Sequence, residues 1–199
     1  YATKPLQLEI YRPKTQEAGL PVVVMIHGGA FTGGKPRDLE MIARYFAERG
    51  FVACSIAYRL KGDEPPGPHQ VAAFADAQTA VRWVRTHADR LGIDPARVGA
   101  LGHSAGAYVA AELATSETGD FLPDGPIVPF NNPGVSSRVQ AAVICSGGLM
   151  ELDRVDPTDA PLMLVHGTHD PVVPLAIAEK LRDRYTELGI PVTFCPLDR

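Results

Sequence analysis

Residues 97 to 106, RVGALGHSAG, decide how this chain is read. Arg97 to Gly102 form a short apolar run of strand character, and Ser104 to Ala114 are small residues of helical character. The pentapeptide Gly102-His103-Ser104-Ala105-Gly106 between them has the pattern G-x-S-x-G. Set between a strand and a helix, that pattern is a sharp turn that lifts the serine hydroxyl above a sheet, and glycines flank it because the two backbones crowd there. At this chain's Gly and Ser frequencies the pattern arises by chance about once in twenty such chains, and the strand-turn-helix context cuts that several-fold. Ser104 is therefore a candidate nucleophile, the alternative being a purely structural small-residue turn.

Outward from this stretch, β-branched runs alternate with longer helical segments. Residues 6–12 alternate as an edge strand, whereas 21–27 (PVVVMIH) and 51–58 (FVACSIAY) are continuously apolar, as strands buried on both faces are. A helix over 38–49 is closed by Gly50. Another is expected from about Gln70 to Leu91, with Val71, Phe74, Val81, Val84 and Leu91 at helical spacing and Gly92 as its stop. Further strands are read at 139–146, 162–166 and 191–197, with a helix from Pro174 to about Leu188. This alternation predicts an α/β fold with a mostly parallel central sheet and helices on both faces. Residues 116–138 dissolve into Pro, Gly, Asn and Ser, which suggests a short lid-like insertion. No internal repeat divides the chain, so 1–199 is read as one domain.

Composition narrows the function classes. The chain has 199 residues, 45% hydrophobic and 21% charged, and a net charge of -4; it should fold. No Lys/Arg-rich run could track a phosphate backbone, which argues against a nucleic-acid partner. No apolar run approaches the ~18–20 residues of a membrane span, so a soluble domain is expected. Cys54, Cys145 and Cys195 lie in apolar strands without C-x-x-C spacing and read as free thiols. The first residue is Tyr1 rather than Met, as expected of a processed or trimmed product.

Two further motifs flank the serine. His27-Gly28-Gly29-Ala30-Phe31 follows a buried strand directly, and its glycines leave backbone N–H groups unshielded. In acyl transfer such groups hold the oxyanion, each donor contributing about 2.7–4 kcal/mol; the candidate donors are the amides of Gly29, Ala30 and Ala105. The stretch Gly29 to Lys35 also fits the start of a phosphate-binding loop, but Pro36 stands where a Ser or Thr would hold Mg²⁺. The third motif, Leu164 to Asp170 (LVHGTHD), carries a strand into a turn. Asp170 lies on the side where open α/β sheets place their sites, and it follows the serine in the order Ser…Asp/Glu…His. It is the candidate acid that would orient a histidine; Asp159 and Asp198 are its rivals.

The ordered set HGGAF, GHSAG and HGTHDPVVP resembles the α/β-hydrolase superfamily, and LGIDPARVGALGHSAG is similar to the small bacterial esterases grouped with hormone-sensitive-lipase-like, acetyl-xylan and feruloyl esterases. The likeness covers nearly the whole chain. It implies a serine hydrolase cleaving carboxylic esters of small acyl groups through an acyl-enzyme, on a small-molecule or carbohydrate-linked ester, with no metal or organic cofactor. Phe31, His69, Phe121, Leu122 and Leu149 are candidate substrate contacts, with the loop around Pro65 to His69 and the 116–138 segment walling the pocket.

The family places its histidine just after the last strand, yet no histidine follows Asp170. Of the six present, His27 should orient the oxyanion turn, His103 should point away from Ser104, His87 reads as a surface or packing residue, and His166 lies at a strand end beneath the Asp170 turn. His69 and His169 are the weak substitutes for the base. The expectation is a chain that continues beyond Arg199, with the histidine loop and a closing helix absent and one sheet face under-covered. Two rival readings are an amidase or peptidase of the same fold, similar to the kynurenine-formamidase-like group, and a non-catalytic binding member.

Overall fold

The computed structural model describes residues 6–14, 17–63, 69–116, 132 and 134–198, with the His69 side chain outside them. Seven strands form one sheet in the order β1-β3-β2-β4-β5-β6-β7. They are β1 (Leu8–Tyr11), β2 (Leu20–Ile26), β3 (Val52–Ile56), β4 (Ile93–His103), β5 (Ala141–Cys145), β6 (Leu162–Gly167) and β7 (Val192–Leu197). Only β1 runs antiparallel, pairing Leu8 with Ile56 at the sheet edge; the remaining pairings are parallel.

The period of two along the strands sorts side chains into two cores. Val22, Val24 and Ile26 of β2 join Val52, Cys54 and Ile56 of β3 and Ala142, Ile144, Leu162 and Leu164 in the larger core. It is covered by α2 (His69–Thr86), α4 (Ala105–Thr115) and α5 (Leu175–Glu187). Val23, Met25, Ala53 and Leu101 point the other way, under Leu39 and under Ala43 of α1 (Glu40–Ala47). On that second face α1 reaches only as far as the half-buried Val143; Met163, one strand on, is 40% exposed and Thr193 of β7 is exposed. Among the described residues, cover on this face is thinnest over β5–β7.

One element differs from expectation. The helix read over 70–91 breaks at His87 (φ -108°, ψ 20°) into α2 and a short α3 (Ala88–Leu91). The His87 ring stacks on Trp83, and its Nδ1–H donates 2.8 Å to the Trp83 carbonyl, competing with the helical partner of that oxygen. Val71 is exposed, and the buried stripe of α2 runs instead through Ala73, Phe74, Ala77, Val81 and Val84. His69, read as a loop residue, is the first residue of α2.

Most of the lid-like insertion lies outside the described residues. Its tail is fixed: Arg85 of α2 donates 2.5 Å to each of the Ser136 and Arg138 carbonyls. All three cysteines are free; Cys54 is buried, which pushes its thiol up to about 12.

Candidate active site

The serine turn owes its shape to backbone crowding. A Cβ on Gly102 would stand 1.9 Å from the Gly106 carbonyl oxygen, and one on Gly106 would stand 2.1 Å from that of Ile26, so α4 sits against β2 and β4 only because both residues are glycine. Ser104 absorbs the resulting sharp turn at φ 53°, ψ -120°, a region that costs of order 1–3 kcal/mol for a non-glycine residue and that persists where the surroundings over-determine it. They do: the Ser104 N–H donates 2.9 Å to the Cys145 carbonyl, and its own carbonyl accepts 2.8 Å from the Ala107 N–H as α4 begins.

The HGGAF turn lies against this serine. An ideal Cβ on Gly28 would stand 3.1 Å from the Ser104 Cβ. Gly29, Ala30 and Phe31 follow with φ of 120°, 52° and 59°, and the Gly29 carbonyl accepts from the Thr32 and Gly33 N–H groups at 2.9 and 3.1 Å, closing the turn on itself. His27 is buried and does orient the turn: its Nδ1–H donates 2.7 Å to the Gly28 carbonyl. Burial holds its pKa below the usual histidine range, so the ring is neutral at pH 7.

Asp170 is placed by the next two strands. Its Oδ1 accepts from the Val172 and Val173 N–H groups, both at 2.9 Å. Those amides, Val173 first, hold the carboxyl below the usual carboxylate range, helped by the Ser146 hydroxyl and by His166. His166 is fully buried beneath the turn, its Nε2–H donating 2.8 Å to the Val173 carbonyl, with the Asp170 Oδ2 at 3.8 Å.

The sheet order brings these parts together. Gly28 follows β2, Ser104 follows β4, Ser146 follows β5 and Asp170 follows β6, four neighbours in the sheet. Ser104 and Asp170 are thus two strands apart, about 10 Å at the backbone, the gap an imidazole bridges between a hydroxyl and a carboxylate. A cavity of about 440 Å³ opens at the same strand ends, lined by Cys145, Ser146, His166, Asp170 and Leu197 among others.

The remaining candidates fall as follows. His103 is exposed, lies on the α1 face of the sheet and lines that cavity. His169 is exposed, 3.0 Å from the Thr168 hydroxyl and 3.7 Å from Asp198. Among the described residues no histidine ring is hydrogen-bonded to Ser104. Asp159 accepts from the Asp156 N–H and lies beside Tyr185 of α5 rather than in the cavity. Phe31 and Leu149 are buried in the larger core, Phe31 edge-on to Tyr58; Phe121 and Leu122 lie outside the described residues. Ser146 went unnoticed in the sequence. Its signal was the small-residue run Ser146-Gly147-Gly148 after a strand, the punctuation that also marks the two other turns, and it carries φ 52°.

A family model described as BD-FAE matches residues 8–155. The chain belongs to the BD-FAE family. Among solved structures it is similar to the esterase Est2 of Thermogutta terrifontis with propionate bound, at 26% identity and a TM-score of 0.83 over 96% of this chain and 78% of that one. The same esterase phosphorylated by paraoxon superimposes with a TM-score of 0.85 at 26% identity, over 99% and 78% of the two chains. The BD-FAE chain therefore has the α/β-hydrolase fold. Among curated proteins it is 34% identical to the carboxylesterase NlhH of Mycobacterium tuberculosis, over 55% of this chain and 33% of that protein. The BD-FAE chain thus spans about a third of the length of the first curated relatives it matches.

Proposed function

We propose that this chain carries the nucleophile and the acid of a serine carboxylic ester hydrolase. The observation that carries the reading is Ser104 held at φ 53° against the Gly28 turn, with Asp170 two strands along the same sheet edge. The likeness to an esterase that is phosphorylated by paraoxon supports it, as does the likeness to a carboxylesterase. Ser104 Oγ attacks the ester carbonyl carbon, and its proton passes to a histidine that Asp170 orients. The amides of Gly29, Ala30 and Ala105 hold the oxyanion, the alcohol leaves with that proton, and water then releases the acid. The substrate class is a carboxylic ester of a small acyl group, free or carbohydrate-linked, and every step runs on side chains and backbone amides without a cofactor. His69 and His169 are the candidates for the base within the chain.

The test is covalent labelling by a fluorophosphonate, read by intact mass, with hydrolysis of p-nitrophenyl acetate in parallel. One adduct per chain, lost in Ser104→Ala, is the expected result; equal labelling of Ser104→Ala would sink the reading. Loss of labelling in His69→Ala or His169→Ala would identify the base. Faster turnover of an anilide than of its matching ester would favour the amidase reading instead.

A further inference from the structure

Building on the acyl-transfer reading of Ser104, we infer that Tyr58 is a positioning residue for the oxyanion turn, acting through His27. Tyr58 leaves β3 beside the exit of β2 and is 2% exposed. Its hydroxyl donates 2.9 Å to the His27 carbonyl, the last acceptor before Gly28. Its ring stacks on the His27 imidazole at 4.4 Å and 19°, and meets Phe31 edge-on at 6.2 Å and 65°. One side chain therefore touches both ends of the turn from His27 to Phe31.

That turn needs an external splint. Gly29, Ala30 and Phe31 all have positive φ, and two consecutive non-glycine residues in that region hold it only under outside constraint. The bonds inside the turn run from Thr32, Gly33 and His27 to Gly29 and Gly28; they close the loop without fixing its tilt against the sheet. The segment after β3 supplies that tilt. Arg59 is tied to Asp76 of α2 by its own N–H at 2.8 Å and by Nε and Nη2 at 2.8–3.0 Å, and the Lys61 N–H donates 2.8 Å to the Phe31 carbonyl. Tyr58 thus stands between a helix anchor and the turn. Its buried hydroxyl is spent on His27, so its role is positional.

The experiment compares Tyr58→Phe and Arg59→Lys with the unsubstituted chain by amide hydrogen exchange, by fluorophosphonate labelling resolved into KI and kinact, and by melting. Tyr58→Phe leaves a buried carbonyl unpaired, so exchange of the Thr32 and Gly33 amides should rise about tenfold and kinact should fall about tenfold, with KI and exchange in β6 unchanged. Arg59→Lys, which keeps the charge and loses the fork, should move both readings the same way by about threefold; should Tyr58→Phe fail to fold, these readings carry the inference. Unchanged exchange of the turn overturns it. A loosened turn with unchanged kinact overturns the catalytic link. Absence of any adduct on the unsubstituted chain would instead show that Ser104 is not activated in it, and exchange alone then decides whether Tyr58 positions the turn.

Discussion

The two halves of the site are held by different physics. On the Ser104 side, α4, β2 and β4 approach so closely that no Cβ fits at Gly102 or Gly106, and the turn beside them is braced by Tyr58, by His27 and by its own amides. On the other side, Asp170 sits on a partly exposed turn, held by two backbone N–H groups and the Ser146 hydroxyl, next to strands whose second face is thinly covered by the described residues and beside Val172, which is 80% exposed. One half depends on shape, to within a methyl group. The other is held by hydrogen bonds to a carboxylate.

Substitutions should separate the halves, and the largest effect belongs to the shape-dependent one. Gly106→Ala would push a methyl group onto the Ile26 carbonyl; backbone lies on both sides, so the loss should exceed ~3 kcal/mol, visible as a collapsed urea midpoint. A well-folded Gly106→Ala would break the distinction. Next comes Asp170→Asn, whose amide oxygen can still accept from Val172 and Val173. Its urea midpoint at pH 7 should fall slightly, by the stabilisation the ionised carboxylate adds, while esterase activity falls on the order of 10³–10⁴-fold, because an amide neither fixes the histidine tautomer nor balances an imidazolium. A large loss of stability with little loss of rate would reverse the assignment.

Asp76→Asn should follow. It leaves the Arg59 guanidinium, whose side chain is 18% exposed, without its carboxylate, at a cost of about 3 kcal/mol, and in the same protein the turn amides should exchange faster. The smallest effect is that of pH. The Asp170 carboxyl is held down in the fold by the Val173 and Val172 amides, so its stabilisation is complete above the unfolded value of about 3.9 and is lost as pH falls through the lower folded value. Below pH ~4 the urea midpoint should therefore drop more steeply in the unsubstituted chain than in Asp170→Asn; parallel curves would show that the amides do not hold the carboxylate.

The same contrast explains what could be read from the residues alone. Gly102, Ser104 and Gly106 were legible because crowding leaves a fixed spacing that few residue types satisfy. The strands were legible because burial on both faces demands apolar runs, as in 21–27, although the break at His87 was not, since it depends on a ring stacking on Trp83 within the helix. The turn that carries Asp170 was legible as the end of a strand, but the Ser146 hydroxyl beside it comes from a different strand. Tyr58 looked like the end of an apolar run, and nothing local marks a hydroxyl whose acceptor lies 31 residues away.

By itself, then, the sequence determined the α/β alternation, the serine turn, the glycine-rich turn and the order in which a carboxylate follows them, because each is a local demand of backbone geometry or of burial. Only the tertiary structure decided that four strand ends stand side by side, that about two strand spacings separate Ser104 from Asp170, that α1 stops short of covering β6 and β7, and that Tyr58 braces the turn. Those facts depend on strand order and on contacts between residues distant in sequence, and a pattern of period two or 3.6 carries no information about which strand lies next to which.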